Sequence, residues 1–218
     1  MRSLRDQMVI DGMRTNKIIE EHKDRNITDR KGNYEFYTAR MYDRIFFTDH
    51  PTPVSKKVSL VDDMKEPDSR IEKYTNDLKL LLFAPGTDID LPFMGHKTAI
   101  FTKDQMSYYD YSLVLDTASY LAPVYAFTIM ADLTRSSNNT VIREMKTIFD
   151  QESMQILGRS YQLAYKTLFY SFDVSMNIDI TKHEGNYIPT LIEYKGQWDV
   201  PLRKPELCKF SFRIVDFY

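Results

Sequence analysis

Residues 168–181 read LFYSFDVSMNIDIT, and their apolar and polar side chains alternate almost throughout. Side chains in a strand point alternately to two faces, so this stretch predicts a β-strand with one apolar and one polar face. At about 3.3 Å per residue it would span roughly 45 Å, whereas ordinary strands contain about 3–10 residues. We therefore predict that part of this strand projects from the domain, bends, or pairs with a neighbouring copy.

The polar row of this strand consists of Asp173, Ser175, Asn177 and Asp179. Three interpretations are open at this point. The row is a solvated sheet face, a cation site built from aligned carboxylates, or a hydrophilic, mildly acidic wall that faces a channel or an interface. A wall of the last kind would repel the phosphates of passing DNA.

Two further segments define the predicted core. Residues 124–133 alternate like a strand but are partly apolar on both faces, which is typical of a central strand covered by a helix. Residues 138–150 predict that helix, because an apolar stripe at helical spacing follows turn-forming Ser and Asn residues. The stripe consists of Val141, Ile142, Met145, Ile148 and Phe149. With a last strand over 207–218, the predicted fold is α+β: a mainly antiparallel sheet with one amphipathic helix packed on a face.

The N-terminal region is predicted to be an extension that begins with a helix. Loosely spaced apolar residues predict a helix over 3–23, which either packs on its own domain or docks as an arm on a neighbouring subunit. The predicted parts are a helical arm (1–30), a mixed extension or insertion (31–121) and an α+β core (122–218). Within the middle part, the pattern predicts strands over 34–48 and 57–61 and a helix over 68–82.

The aromatic content points to contacts between proteins. The chain has 15 Tyr and 13 Phe, and tyrosine is enriched at interfaces because its ring buries area while its hydroxyl finds a partner. The predicted contacts between copies are Leu4, Met8, Met13, Tyr170 and Phe172. With only 7 Gly, the chain leaves little room for loops that cradle phosphate groups.

Charge and composition exclude several classes of protein. The 29 Lys and Arg residues nearly balance the 31 Asp and Glu residues, which gives a net charge of −2. The chain therefore lacks the excess of basic residues that non-specific nucleic-acid binding usually needs. The single cysteine, Cys208, rules out an intramolecular disulfide and fits a reducing, intracellular setting. The N-terminus lacks the apolar run of a signal peptide, and no stretch approaches about 18 continuous apolar residues, so we predict no membrane contact.

The sequence contains no standard catalytic motif. GxxxxGK[ST], GxGxxG, GxSxG, HExxH and CxxC are all absent, and the four histidines are scattered. The strongest alternative is a loop that carries Asp88, Asp90 and His96, since a metal-dependent hydrolase could place its carboxylates there. Loops are also rich in Asp simply because Asp favours turns. We therefore predict no catalytic residues, no cofactor and no metal.

Residues 123–149, PVYAFTIMADLTRSSNNTVIREMKTIF, resemble the core of tail-completion proteins of tailed bacteriophages, which include tail terminators and sheath stabilisers. That core has a Pro, an aromatic-rich strand ending near Thr-Arg, a polar turn, and a helix that ends in Phe. The matching residues here are Pro123, Tyr125, Thr134, Arg135, Ile142, Ile148 and Phe149. The aromatic–polar alternation of KFSFRIVDFY, residues 209–218, is similar to the closing strand of these proteins.

The resemblance implies a structural virion protein without an active site. Such subunits form a hexameric or dodecameric ring in the phage neck, as a head–tail connector or tail-completion protein, and contact portal or adaptor and tail proteins. DNA passes through the lumen without specific binding, and the protein is made in the host cytoplasm before it joins the virion. The alternatives are the metal-dependent hydrolase and a different virion component, such as a portal adaptor or a baseplate subunit.

Overall fold

The computed structural model describes most of the chain after residue 94 and shorter pieces before it. The described residues are 8–10, 13–15, 17–23, 26, 28–36, 38–39, 77, 80–81, 85–89, 94–132, 134, 138–168, 170–199, 202 and 204–217. Side chains are described for none of the residues 8–23 and 215–217. The segments predicted as strands over 34–48 and 57–61 and as a helix over 68–82 lie largely outside the described residues.

Ten strands and two short helical turns have described bounds, and single helical residues also occur at 39, 77, 80, 81 and 134. The strands are β1 (Met8–Ile10), β2 (Met13–Thr15), β3 (Lys17–Lys23), β4 (Tyr109–Asp116), β5 (Val124–Ala131), β6 (Ile142–Asp150), β7 (Ile156–Lys166), β8 (Ser171–His183), β9 (Asn186–Asp199) and β10 (Glu206–Phe217). A 3₁₀ turn spans Gly95–Thr98, and a single turn of α-helix, α1, spans Lys103–Met106. The predicted predominance of strands is confirmed.

Eight strands form one sheet, in the order β3-β10-β9-β8-β7-β6-β5-β4. Every neighbouring pair is antiparallel, and β4 to β10 follow one another in sequence order. The mainly antiparallel sheet predicted from the sequence is therefore confirmed. The sheet extends beyond the predicted core of residues 122–218, because it also contains β4 and β3. Strands β1 and β2 pair only with each other among the described strands.

Cross-strand register aligns apolar residues in continuous rows on one side of the sheet, which we call the apolar face. One row runs through Tyr111, Ile129, Met145, Tyr161, Met176, Tyr194 and Phe210, each directly paired with the next. All except Tyr111 are buried. Directly opposite side chains are the unit of sheet stabilisation, so this row ties seven strands into one core.

Residues 94–101 cover part of the apolar face. Met94 and Ile100 are 1% and 0% exposed and belong to the same apolar cluster as the sheet residues. The Tyr111 hydroxyl donates to the Ile100 carbonyl at 2.6 Å, and Lys97 Nζ donates to the Tyr165 hydroxyl at 2.5 Å. These polar contacts fix the register of the segment on the sheet, while the apolar contacts exclude water beneath it.

Strand β8 contains most of the residues of the 168–181 pattern and follows it. Phe172, Val174, Met176 and Ile178 are buried, and the residues between them face the other side. The strand pairs with β7 over Ser171–Asp179 and with β9 over Ser171–His183. The idea that this strand needs a neighbouring copy for support is therefore wrong, because its own chain pairs it on both edges. Only its last residues extend past β7, as one arm of the β8–β9 hairpin.

The helix predicted over 138–150 is wrong, because residues 142–150 form strand β6. A register shift between Ile142 and Glu144 places Ile142 and Met145 on the same face, although they are three residues apart. Ile148 is buried on the opposite face, in a small cluster with Val124 and Ala126. Together the β-bulge and the second cluster produce an apolar spacing that resembles a helical stripe.

The predicted N-terminal helix over 3–23 is also wrong wherever it falls on described residues. Residues 17–23 form β3, which pairs with β10 through a ladder from Phe210 opposite Lys23 to Phe217 opposite Lys17. Residues 8–10 and 13–15 are strands as well. The partner strand lies almost 200 residues away in sequence, so local periodicity carries no signal for this pairing.

Candidate functional site

The side of the sheet opposite the apolar face carries mostly polar side chains at its centre, and we call it the polar face. Two rows of directly paired residues cross its centre. One row consists of Glu144, Gln162, Ser175 and Lys195, and the other of Lys146, Ser160, Asn177 and Glu193. The alternation of each strand places these side chains together, because residues that pair across antiparallel strands share a face.

The four residues predicted as a polar row all lie on the polar face. Asp173, Ser175 and Asp179 are exposed and Asn177 is half-buried. Gln162 Nε2 donates to Asp173 Oδ1 at 3.1 Å, and Asn177 Nδ2 donates to Glu193 Oε2 at 3.3 Å. The row is therefore part of a hydrogen-bonded polar surface that spans several strands. Its role as a lumen wall stays a prediction.

A shallow depression of about 400 Å³ lies at the centre of the polar face. It is lined by Glu144, Ser160, Tyr161, Gln162, Ser175, Met176, Asn177, Glu193, Tyr194 and Lys195. Its polar side chains are mostly amides and hydroxyls, together with one Lys and two Glu residues. The depression is open and hydrophilic, and its chemistry suits weak polar contacts.

The polar face is weakly acidic among the described residues. In the ladders that join β4 to β10, its register positions carry eight acidic and five basic residues, a formal charge of −3. The acids are Asp110, Asp116, Glu144, Asp150, Asp173, Asp179, Glu193 and Asp199, and the bases are Lys146, Lys166, Lys195, Lys209 and Arg213. Although Asp179 is exposed, desolvation by the atoms around its carboxylate and the nearby Glu193 raise its pKa, while Arg213 opposes that shift.

The loop predicted as an alternative catalytic site brings two of its three residues together. His96 Nδ1 lies 2.8 Å from Asp88 Oδ2, and both side chains are well exposed, at 84% and 53%. Asp90 lies outside the described residues. Among the described residues, no group of three or more His, Cys, Asp or Glu side chains is arranged to hold a metal ion. An exposed pair of this kind is an ordinary surface interaction.

The predicted contacts between copies have mixed outcomes. Leu4 lies outside the described residues, and for Met8 and Met13 the structure describes only the strands that contain them. Phe172 is 5% exposed and packs against Trp198, with ring centroids 5.0 Å apart. Its prediction as an oligomer contact is wrong, because its own subunit buries it. Tyr170 is half-buried and stacks on Phe172, with ring centroids 6.3 Å apart.

Sequence reasoning missed the exposed apolar side chains of the edge strand β4. Leu113, Val114 and Leu115 are 62%, 57% and 47% exposed. Of the thirteen exposed large hydrophobic side chains in the described part of the chain, eight lie between residues 101 and 130, on this strand or close to it in sequence. They are Phe101, Met106, Leu113, Val114, Leu115, Tyr120, Leu121 and Met130. Contiguous exposed apolar surface marks interaction sites, whereas scattered residues do not.

Comparison with known proteins adds no relative. No protein-family description, no curated protein and no solved structure matches the chain. The resemblance of residues 122–218 to phage tail-completion proteins therefore stays a prediction from sequence pattern. No helix in the described part of the chain is long and apolar enough to cross a membrane.

Proposed function

We propose that the chain is a structural virion protein that forms a ring in the phage neck, as a head–tail connector or tail-completion subunit. The observation that carries the assembly part of this proposal is the β4 edge, where exposed apolar side chains flank an open strand. An edge strand of this kind is a template for pairing with another chain. The phage context comes from the sequence resemblance alone.

The polar face supports the passage of DNA through such a ring. Its formal charge of −3 across β4 to β10 is weakly repulsive toward phosphate. A basic surface would hold DNA by releasing counterions, and the strength of that attraction rises with each added Lys or Arg. A hydrophilic, slightly acidic wall instead lets a polyanion slide past.

Within the described residues, no arrangement of side chains supports a catalytic function more strongly than the assembly proposal is supported. The Asp88–His96 pair lies on an exposed loop. The depression on the polar face holds Glu144, Glu193 and Lys195 on an open surface, where water screens their charges. The hydrolase alternative therefore gains no specific support from the geometry.

Native mass spectrometry and negative-stain imaging of the purified chain test the proposal, alone and with the portal and tail proteins encoded beside it. We expect closed rings at high protein concentration or on the partner. Leu113→Lys should abolish them, because it places a charge at the centre of the apolar edge. Leu168→Lys is the matched control, since Leu168 is 92% exposed but distant in sequence from β4. A chain that stays monomeric in every mixture would overturn the proposal.

A further inference from the structure

The β4 strand has a single neighbour among the described strands, β5. The amide of Asp132 donates to the Tyr108 carbonyl at 2.9 Å, where the β4–β5 ladder begins. Backbone groups of successive strand residues point to opposite sides. The even-numbered residues of β4 therefore bond to β5, whereas Tyr109, Tyr111, Leu113 and Leu115 present their N–H and C=O groups to the edge that no described strand covers.

This edge lacks the features that usually protect an edge strand. Such features are proline, lysine, inward-pointing charge and β-bulges. Residues 111–115 read YSLVL without proline or charge, and the β4–β5 ladder runs from Tyr109 to Asp116 without a register shift. Exposed apolar side chains lie on both sides of the strand, with Leu113 on the apolar face and Val114 on the polar face. A partner strand would therefore cover apolar area on both faces.

The other edge of the same sheet is β3, and its direction matches this requirement. Because the sheet has eight antiparallel strands, an even number, its two edge strands run in opposite directions. Two copies related by rotation about an axis parallel to the strands would therefore place β4 of one against β3 of the next in antiparallel orientation. The apolar faces of both copies then lie on the same side of the extended sheet.

Charge along the two edges also bears on the choice of partner. The apolar centre of β4 lies between Asp110 and Asp116, whereas the sequence of β3, KIIEEHK, balances Glu20 and Glu21 with Lys17 and Lys23 and is close to neutral. Two β4 strands paired about a two-fold axis through Leu113 would instead place Asp110 opposite Asp116. Like charges directly opposite each other are destabilising in a sheet.

We propose that β4 of one copy pairs with β3 of the next copy, head to tail, and that this contact closes the ring. This inference deepens the proposed function, and the closing of the ring depends on that function. In the register that matches faces and aligns the apolar centres of the two strands, Leu113 lies opposite Ile19, Val114 opposite Ile18 and Asp110 opposite His22. Head-to-tail contacts of this type generate rings when the rotation between copies closes.

Engineered cysteines test this register directly, in a Cys208→Ser background that removes the natural thiol. Paired strand residues lie about 4.5–5.5 Å apart at Cα, within the range that a disulfide spans. Under mild oxidation, the combination Leu113→Cys with Ile19→Cys should give a ladder of covalent multimers on non-reducing electrophoresis. Neither single variant should cross-link, and a mixture of the two singles should stop at dimers.

Each alternative outcome has a distinct meaning. Dimers of the Leu113→Cys single variant would show two-fold β4–β4 pairing and overturn the head-to-tail contact. Rings seen by native mass spectrometry without a covalent ladder would preserve the proposed function and overturn this contact. If the first combination does not fold, Val114→Cys with Ile18→Cys tests the adjacent pair of the same register. Absence of both rings and cross-links in folded protein would overturn both proposals.

Discussion

Gly196 is predicted to be the most restrictive small residue of the core. It lies on the apolar face of β9, paired with Val174 on one side and Cys208 on the other. The ring of Tyr194 folds over it, and a Cβ atom at position 196 would lie 2.6 Å from Tyr194 Cζ. Since unstrained carbon contacts begin near about 3.5 Å, Gly196→Ala forces that ring to move by about 1 Å.

The surroundings of Tyr194 determine what this movement costs. Tyr194 is 3% exposed, its ring stacks on Phe210 with centroids 4.8 Å apart, and its hydroxyl accepts a hydrogen bond from Trp198 Nε1 at 3.1 Å. Overpacking a tight core costs about 1–3 kcal/mol, and the weakened hydrogen bond costs about 1 kcal/mol. Removing a glycine from a strand returns about 0.5–1 kcal/mol. We therefore expect Gly196→Ala to lower the free energy of unfolding by about 1–3 kcal/mol.

Urea unfolding followed by tryptophan fluorescence is the assay, since Trp198 is the only tryptophan and reports on the same contact. The exposed neighbour Gln197→Ala is the control and should stay within about 0.5 kcal/mol of the parent protein. In a Tyr194→Leu background, the effect of Gly196→Ala should largely vanish, because the clashing ring is gone. An unchanged midpoint and unchanged fluorescence for Gly196→Ala would refute the account of this packing.

Two further predictions concern the buried face. Leu163 is 0% exposed, and Leu163→Ala should lower the free energy of unfolding by about 2–5 kcal/mol, measured by urea titration, because it opens a cavity in the core. Burial raises the pKa of Tyr109 to about 12 and that of Tyr161 well above its usual value. The folded state then holds these protons more tightly than the unfolded chain, so stability is complete below about pH 10 and falls as the pH rises beyond it. Urea midpoints at increasing alkaline pH should show that fall, and Tyr161→Phe should reduce it; an equally steep fall in this variant would contradict the prediction.

The sequence predicted a strand correctly where the alternation of apolar and polar residues is visible within the strand itself. β8 pairs with both neighbouring strands in a regular ladder, so its even-numbered residues are buried and its odd-numbered residues face the polar side. This regularity holds until the register shift after Asp179. β6 misled the same reasoning, because its bulge puts Ile142 and Met145 on one face. A bulge depends on the partner strand, and the partner is invisible in a local window.

The candidate site was only partly predictable for a related reason. The polar row of β8 was identified from its own alternation, but its partners Gln162 and Glu193 join it through register with β7 and β9. The exposed edge was missed altogether. YSLVL in β4 is apolar on both faces, as in a central strand, and only the order of the strands shows that it lies at an edge.

The number of strands in the sheet sets the circumference of any ring that is closed through β4 and β3. Neighbouring strands lie about 4.8 Å apart, so eight strands contribute about 38 Å of circumference per copy. Three copies would then form a backbone wall about 37 Å in diameter and six copies one about 73 Å in diameter, and any tilt of the strands would widen both. The diameter of the wall and the copy number are therefore linked, because each added subunit increases that diameter by about 12 Å.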